Sequence, residues 1–293
     1  MQQTLSSMMK AVAKKLKAAK LFYGHGTDNP EDEAFSLVFQ ALSLPFSLID
    51  SASSYELKET EIEKVKALLK ERIEKRIPLA YLTHEAYFFG LPFYVDERVI
   101  IPRSSIGELI EHQFEPWVNP EKVTRILDVC TGSACLAIAC ALAFEYAAVD
   151  AVDLSQDALE VAKINVEKHG VKKQVNLIHS DLFNELPAAR YDIIISNPPY
   201  VSGEEMKTLP AEYHHEPKMA FYSDDHGLAL TLRILKEAPK FLNDQGILVV
   251  EVGNSDEVLQ ARFPDIPFTW LEFEQGEGGV FLLTKEELSL YNF

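Results

Sequence analysis

From Thr124 onward, short runs of aliphatic and β-branched residues alternate with longer stretches whose apolar positions recur every three to four residues. Strands are predicted at 124–129, 148–152, 175–179, 192–196 and 247–252, with helices at 134–144, 156–169 and 228–242 between them. Few architectures satisfy such a pattern. Each helix must cross back over the sheet, so the strands run parallel and helices cover both faces, giving a doubly wound α/β fold. The segments 268–273 and 280–284 are predicted to close the sheet as a last pair.

A chain of 293 residues has room for a smaller unit before this sheet. Helical periodicity is predicted over 7–21, 31–42 and 56–76, and Asp28 and Asn29 before Pro30 and Glu31 mark a helix start. An aromatic β-hairpin is expected from Ala80-Tyr81-Leu82, Tyr87-Phe88-Phe89 and, after Gly90 and Pro92, Phe93-Tyr94-Val95. Val99-Ile100-Ile101 then leads to Pro102-Arg103-Ser104, with Ser104 placed to cap a helix reaching about Phe114.

Composition narrows the function classes. Apolar residues at 47% and charged residues at 25% are a globular balance, which sets aside disordered and fibrous chains. No charge-free stretch is longer than 129–144, which contains Thr131, Gly132 and Ser133 and is too short and polar to span a bilayer. The first twenty residues are basic but carry neither an apolar core nor arginine, so a cytoplasmic protein without a membrane partner is expected. Cys130, Cys135 and Cys140 sit five apart, which matches no zinc or disulfide pattern, and the eight histidines lack paired spacing. No metal is expected, and the cysteines read as small buried thiols. With 28 basic against 45 acidic side chains the net charge is −17, which repels phosphate backbones and attracts basic proteins.

Two loops carry the chemistry. Ile126 to Ala134 reads as a strand, an acidic residue (Asp128), a turn (Cys130, Thr131, Gly132, Ser133) and a helix start at Ala134. Open α/β sheets bind ligands at the carboxyl ends of their strands, and Gly132 permits close backbone approach. Only one glycine of a dinucleotide fingerprint is present, so a pyrophosphate site is poorly supported. Asp153 ends the second strand, about 20 residues on, where a carboxylate takes ribose hydroxyls. Asp181 ends the third, placed to accept from an exocyclic amine, with Leu182 packing on the ring. A single strand-end aspartate is commonly a helix cap, but three in succession suit a cationic nucleoside ligand, such as a sulfonium. The second loop, Asn197-Pro198-Pro199-Tyr200, follows the strand at 192–196. Prolines have no N–H, so this loop offers acceptors: the Asn197 side-chain oxygen and the Pro198 carbonyl can each take one N–H of a planar NH2, and the Tyr200 ring can stack on it.

With Asp128, Asp153 and this tetrapeptide, the chain resembles class I S-adenosylmethionine-dependent methyltransferases that modify amide or amine nitrogens. Arg76-Ile77-Pro78-Leu79-Ala80-Tyr81-Leu82 and Ile101-Pro102-Arg103 resemble the protein glutamine-N5 methyltransferases among them. Arg103-Ser104-Ser105-Ile106-Gly107-Glu108-Leu109-Ile110, Glu216-Pro217, the Asp224 to Leu228 turn and Val250-Glu251-Val252-Gly253-Asn254 resemble the branch acting on large-subunit ribosomal protein L-three, rather than the release-factor branch. The resemblance implies a helical substrate-recognition domain (1–78), a hairpin linker (79–103) and a Rossmann-like methyltransferase domain (104–293). It also implies S-adenosylmethionine as cofactor, with Asp128, Cys130, Thr131, Gly132, Ser133 and Ala134 near its methionine moiety. Asp153 is implied on the ribose, Asp181 and Leu182 at adenine, and Asn197 to Tyr200 on the target glutamine. Cys130 and Ala134 stand where the family pattern has glycines, so a slightly wider backbone cradle is expected. A release-factor glutamine-N5 methyltransferase, an adenine-N6 nucleic-acid methyltransferase and a non-catalytic ribosome-assembly factor remain as other readings; the nucleic-acid enzyme needs a basic face that the net charge argues against. A basic ribosomal protein is the expected partner, with no stable nucleic-acid complex.

Overall fold

The computed structural model describes residues 3–274, 278–291 and 293. Three helices open the chain: α1 (Leu5–Ala19), α2 (Pro30–Ala41) and α3 (Glu59–Lys75). In α1 the buried residues Leu5, Met8, Val12 and Leu16 form one stripe, and Thr4 caps the first turn through Ser7. Asn29 caps α2 by accepting from the Asp32 N–H, with Pro30 in the first turn as expected. The third helix starts later than its periodicity suggests. Residues 55–57 are extended instead, the Tyr55 carbonyl accepting from Leu5 and the Leu57 N–H donating to Gln3.

Residues predicted as the first hairpin strand fold differently. Pro78 starts a short helix, α4 (Leu79–Thr83), whose Leu79, Ala80 and Tyr81 are all buried, because the turn sits between two apolar clusters. The hairpin follows as β1 (Ala86–Phe88) and β2 (Leu91–Phe93). Its two-residue loop, Phe89-Gly90, has φ of +46° and +73°, the mirror-image turn that matches strand twist. Tyr94 is drawn out of this hairpin by Asn165, whose side chain accepts from the Tyr94 N–H at 2.7 Å and donates to its carbonyl at 3.0 Å. A short helix α5 (Ile106–Glu111) comes next, and its Gly107 receives the Phe89 ring: a Cβ there would lie 2.0 Å from Phe89 Cε2.

The remainder alternates as predicted: β3 (Arg125–Val129), α6 (Cys135–Ala143), β4 (Ala148–Asp153), α7 (Gln156–Lys168), β5 (Val175–His179), β6 (Tyr191–Ser196), α8 (Ala229–Glu237), β7 (Leu242–Glu251), α9 (Asp256–Arg262), β8 (Thr269–Trp270), β9 (Val280–Thr284) and α10 (Lys285–Leu290). Helix α8 is shorter than expected because Pro239 lacks an N–H and tightens the chain into a 3₁₀ turn at Ala238–Lys240. The strands form one seven-stranded sheet in the order β5-β4-β3-β6-β7-β9-β8. Strands β3 to β7 are parallel, and β9 runs antiparallel to both β7 and β8. Alternate side chains feed two cores, Ile193 and Ile195 on one face with α6, Ile194 on the other with α8. The chain leaves β3 in one direction and returns to β6 on its other side, so the crevice between their carboxyl ends is the topological switch point. No helix among the described residues is long and apolar enough to cross a membrane.

Candidate active site

Above the carboxyl ends of β3, β4 and β6 lies a cleft of about 730 Å³, counted to its open mouth. Cys130, Gly132, Asp153, Asp181, Leu182, Asn197 and Pro199 line it, so the structure brings most of the sequence-predicted positions to one cavity. Asp128, Thr131, Ser133 and Ala134 lie behind the wall and build it. Asp128 is fully buried, its Oδ2 accepting from Thr131 Oγ1 at 2.5 Å and from the Ala137 N–H at 3.1 Å, while its Oδ1 is buried without a partner. Burial pushes its carboxyl up to about 7, against those two donors. The Ser133 carbonyl accepts from Asn165, tying the turn to α7.

The turn also accounts for glycine in the family pattern. Cys130 and Ala134 both have φ of +64°, a left-handed conformation that costs an L-residue about 1–2 kcal/mol. Burial beside Asp153 and Asp128 holds the Cys130 thiol well above its ordinary value, so it is a wall group rather than a nucleophile. All three cysteines are free, Cys140 buried and the other two partly so.

Asp153 accepts from the Gly132 N–H at 2.8 Å and the Ser155 N–H at 2.8 Å, one bond per oxygen. Burial raises its carboxyl, and each oxygen keeps a lone pair for a ligand hydroxyl. Asp181 is engaged by a residue that the sequence did not point to: Arg233 of α8 forks its two oxygens at 2.9 and 3.1 Å. Arg98 also lines the cleft, anchored by Asp96 through Nε at 2.8 Å and Nη2 at 2.6 Å.

The Asn197 to Tyr200 loop separates this cleft from a second opening. Asn197 Nδ2 donates to the Arg103 carbonyl at 3.2 Å. The Tyr200 hydroxyl donates to Glu251 Oε1 at 3.1 Å, and Ser104 Oγ donates to Glu251 Oε2 at 2.6 Å while accepting from the Ile106 N–H. Burial raises the Glu251 carboxyl against those donors. Two glycines seat the loop: a Cβ on Gly253 would lie 2.5 Å from Tyr200 Cε2, and one on Gly227 would lie 2.1 Å from the Tyr200 carbonyl. A small pocket lies beside the loop, lined by Asn197, Pro198 and Tyr200 with Ile100, Arg103 and Phe221. It shares Ile100, Asn197 and Ala220 with the cleft. Arg103, Tyr200, Val201 and Phe221 are shared instead with an outer groove of about 1,620 Å³, which Phe22, Tyr23, Tyr87 and Phe89 also line. Of the His214-His215 pair, His214 is exposed and His215 meets the Lys75 carbonyl, whereas Glu212 and Glu216 beside them are buried.

The family model described as methyltransferase small domain matches residues 114–213. Over 286 residues, 97% of this chain and 94% of the relative, the chain is 49% identical to a protein of Neisseria meningitidis serogroup B named ribosomal protein uL3 glutamine methyltransferase. Its namesake in Neisseria gonorrhoeae is 48% identical over 97% of this chain and 95% of its own length. The chain belongs to the ribosomal protein uL3 glutamine methyltransferase family. The solved catalytic domain of hMettl16, in complex with MAT2A 3′UTR hairpin 6, shares the fold: 78% of this chain covers 81% of that one with a TM-score of 0.52 at 17% identity. Family membership thus identifies the doubly wound sheet as a class I methyltransferase fold, and the strand-end cleft is where such a fold takes its ligand.

Proposed function

We propose that this chain transfers a methyl group from S-adenosylmethionine to the side-chain nitrogen, N5, of a glutamine in ribosomal protein uL3, in the cytoplasm. The observation that carries this reading is the Asn197 to Tyr200 loop at the end of β6, whose Asn197 and Pro199 line the strand-end cleft while Tyr200 lines the outer groove. Relatives of that name align over nearly the whole chain, which supports the choice of substrate.

The residues of the cleft fit the cofactor. Asp153 has lone pairs for the ribose hydroxyls, Leu182 an apolar face for adenine, and the carboxyls raised by burial at Asp128 and Asp153 are relieved by a nearby cation. Asp181, aimed by Arg233, takes the adenine amine, and the turn from Cys130 to Ala134 carries the methionine end. When bound, S-adenosylmethionine supplies an electrophilic methyl on a sulfonium.

An amide nitrogen is a poor nucleophile because its lone pair is delocalised into the carbonyl. Asn197 Oδ1 and the Pro198 carbonyl accept one N–H each, which returns electron density to nitrogen as positive charge develops there. The nitrogen takes the methyl as the methyl–sulfur bond breaks, leaving S-adenosylhomocysteine, and releases one of its two protons to water. Tyr200 stacks on the amide plane, and Pro199 closes the loop without a competing donor. Holding the two reactants in line supplies much of the acceleration. Residues 1–78 serve substrate recognition, 79–103 link, and 104–293 form the catalytic domain. The net charge of −17 favours capture of a basic ribosomal protein.

Mass spectrometry of purified uL3 and, separately, of release factors after incubation with the chain and S-adenosylmethionine tests the reading. One added methyl on a uL3 glutamine is the expected result. The same methyl on a release factor alone overturns the substrate, and transfer to neither overturns the reaction.

A further inference from the structure

The tripeptide Ile101-Pro102-Arg103 is held at both ends by one buried carboxylate. Glu216 Oε2 accepts from the Ile101 N–H at 2.8 Å, and Arg103 Nη2 reaches Oε1 at 2.9 Å and Oε2 at 3.1 Å. Nη1 of the same guanidinium donates to the Ile101 carbonyl at 3.1 Å, and the guanidinium lies 5.3 Å from the Tyr213 ring centroid and 5.4 Å from that of Phe221. His25 Nε2 is 2.9 Å from Glu216 Oε1. Burial pushes the Glu216 carboxyl up, but the Arg103 charge and the His25 bond outweigh it and hold the carboxyl below its ordinary value. The guanidinium therefore has a full negative charge to grip.

Arg103 itself supplies the partner of Asn197. Its carbonyl accepts from Asn197 Nδ2 at 3.2 Å. A carbonyl oxygen can only accept, so the NH2 end of the Asn197 carboxamide must face it and Oδ1 must point the other way. The shape of a carboxamide does not distinguish its two ends, and its terminal torsion is broad, so nothing intrinsic to Asn197 sets this choice.

We propose that Glu216 is a positioning residue for the reaction: by stapling Ile101 to Arg103 it fixes the Arg103 carbonyl, and that carbonyl fixes which end of Asn197 meets the substrate amide. The inference rests on the reading that Asn197 receives the target glutamine. Without the staple the Arg103 carbonyl is free to turn, and a half-turn of Asn197 sets its NH2 against the NH2 of the glutamine. Two donors then face each other, and the hydrogen bond that aims the nitrogen is gone.

Two variants of the full chain test this. Glu216→Gln has one acceptor oxygen in place of two and cannot serve the Ile101 N–H, Arg103 and His25 together. Arg103→Met releases the guanidinium but leaves the Ile101 and His25 contacts, so it carries the test should Glu216→Gln not fold. The measurements are kcat and KM for methyl transfer to uL3, the Kd of S-adenosylmethionine, and binding of uL3 against uL3 whose methylated glutamine is replaced by glutamate. The expected result is a kcat lower by about 100-fold, the loss typical of a misaimed reactant, with cofactor affinity unchanged. The preference for glutamine over glutamate should narrow by about tenfold, because an inverted Asn197 donates to a carboxylate. Wild-type kcat in both variants overturns the inference, and so does a parallel loss of kcat and cofactor affinity with the preference intact. Failure of the wild-type chain to methylate uL3 overturns the reading of the site, and the inference falls with it.

Discussion

Replacing Asp128 by asparagine should change how stability depends on pH, in the direction opposite to that of a salt-bridged carboxylate. Asp128 is fully buried under the turn at the end of β3, and burial raises its carboxyl from 3.8 to about 7. Between those values the folded protein keeps a proton that the unfolded chain has lost. Stability contributed by this group is therefore fully present below about pH 4 and is lost as pH rises to 7, by about 1.4 kcal/mol per pH unit. Over about three pH units the loss reaches about 4 kcal/mol, an upper bound for one buried group. The asparagine does not titrate. Its oxygen can take the bonds from Thr131 and Ala137, and its NH2 occupies the place of the unpartnered Oδ1, at a cost of about 1–3 kcal/mol that does not vary with pH. Urea denaturation of both proteins from about pH 4 to pH 8 gives the difference in unfolding free energy. That difference, variant minus wild type, should climb with pH and level off above about 7. Asp153 and Glu251, also raised by burial, are present in both proteins and largely cancel. A flat or falling difference would refute the reasoning, because it would mean that the two donors, not burial, govern this carboxyl.

Gly253→Ala drives a methyl into the Tyr200 ring at a residue with φ of +48°, and should lower kcat about 100-fold while S-adenosylmethionine still binds by calorimetry. Arg72→Met removes the partner of buried Glu33, while Glu212 keeps Arg76, and should cost about 3–5 kcal/mol in a urea titration. A loss below about 1 kcal/mol would place those charges in contact with water. Arg233→Met frees Asp181 from its half-exposed fork and should weaken cofactor binding by less than about tenfold, with kcat for bound substrate unchanged.

The inner parallel strands were legible because their middles are buried on both faces and carry aliphatic runs, Ile193 to Ile195 and Ile247 to Val250 most plainly, whereas the edge strand β5 is only partly buried. Strand ends then located Asp153, Asp181 and Asn197 around one crevice, with Asp128 buried behind its wall, since that placement follows from topology rather than from side-chain packing. Local pattern failed where a distant residue decided the outcome. Tyr94 looks like a hairpin residue, but Asn165, 71 positions on, takes both of its backbone groups. Ala80 to Leu82 has strand-like composition, yet it becomes a helical turn because two cores claim it from different sides. The partners of Arg103 and Ser104 were illegible for the same reason. Glu216 lies 113 residues from Arg103, and Glu251 lies 147 from Ser104, distances over which no periodicity carries a signal. The positive φ of Ala134 was equally hidden, because alanine gives no local sign of a left-handed turn.

The wall of the outer groove has a consequence for the timing of synthesis. Phe22 bonds to Glu212 across 190 residues and His25 to Glu216 across 191. A ribosome adding about 5–20 residues per second needs about 10–40 s to make that span. Until its end Arg72 and Arg76 lack Glu212, and the groove that Phe22 and Tyr23 line lacks Tyr213 and Phe221. The outer groove is thus among the last parts of the molecule to exist, and a nascent chain cannot engage a partner there before Glu251, at the end of β7, has been made.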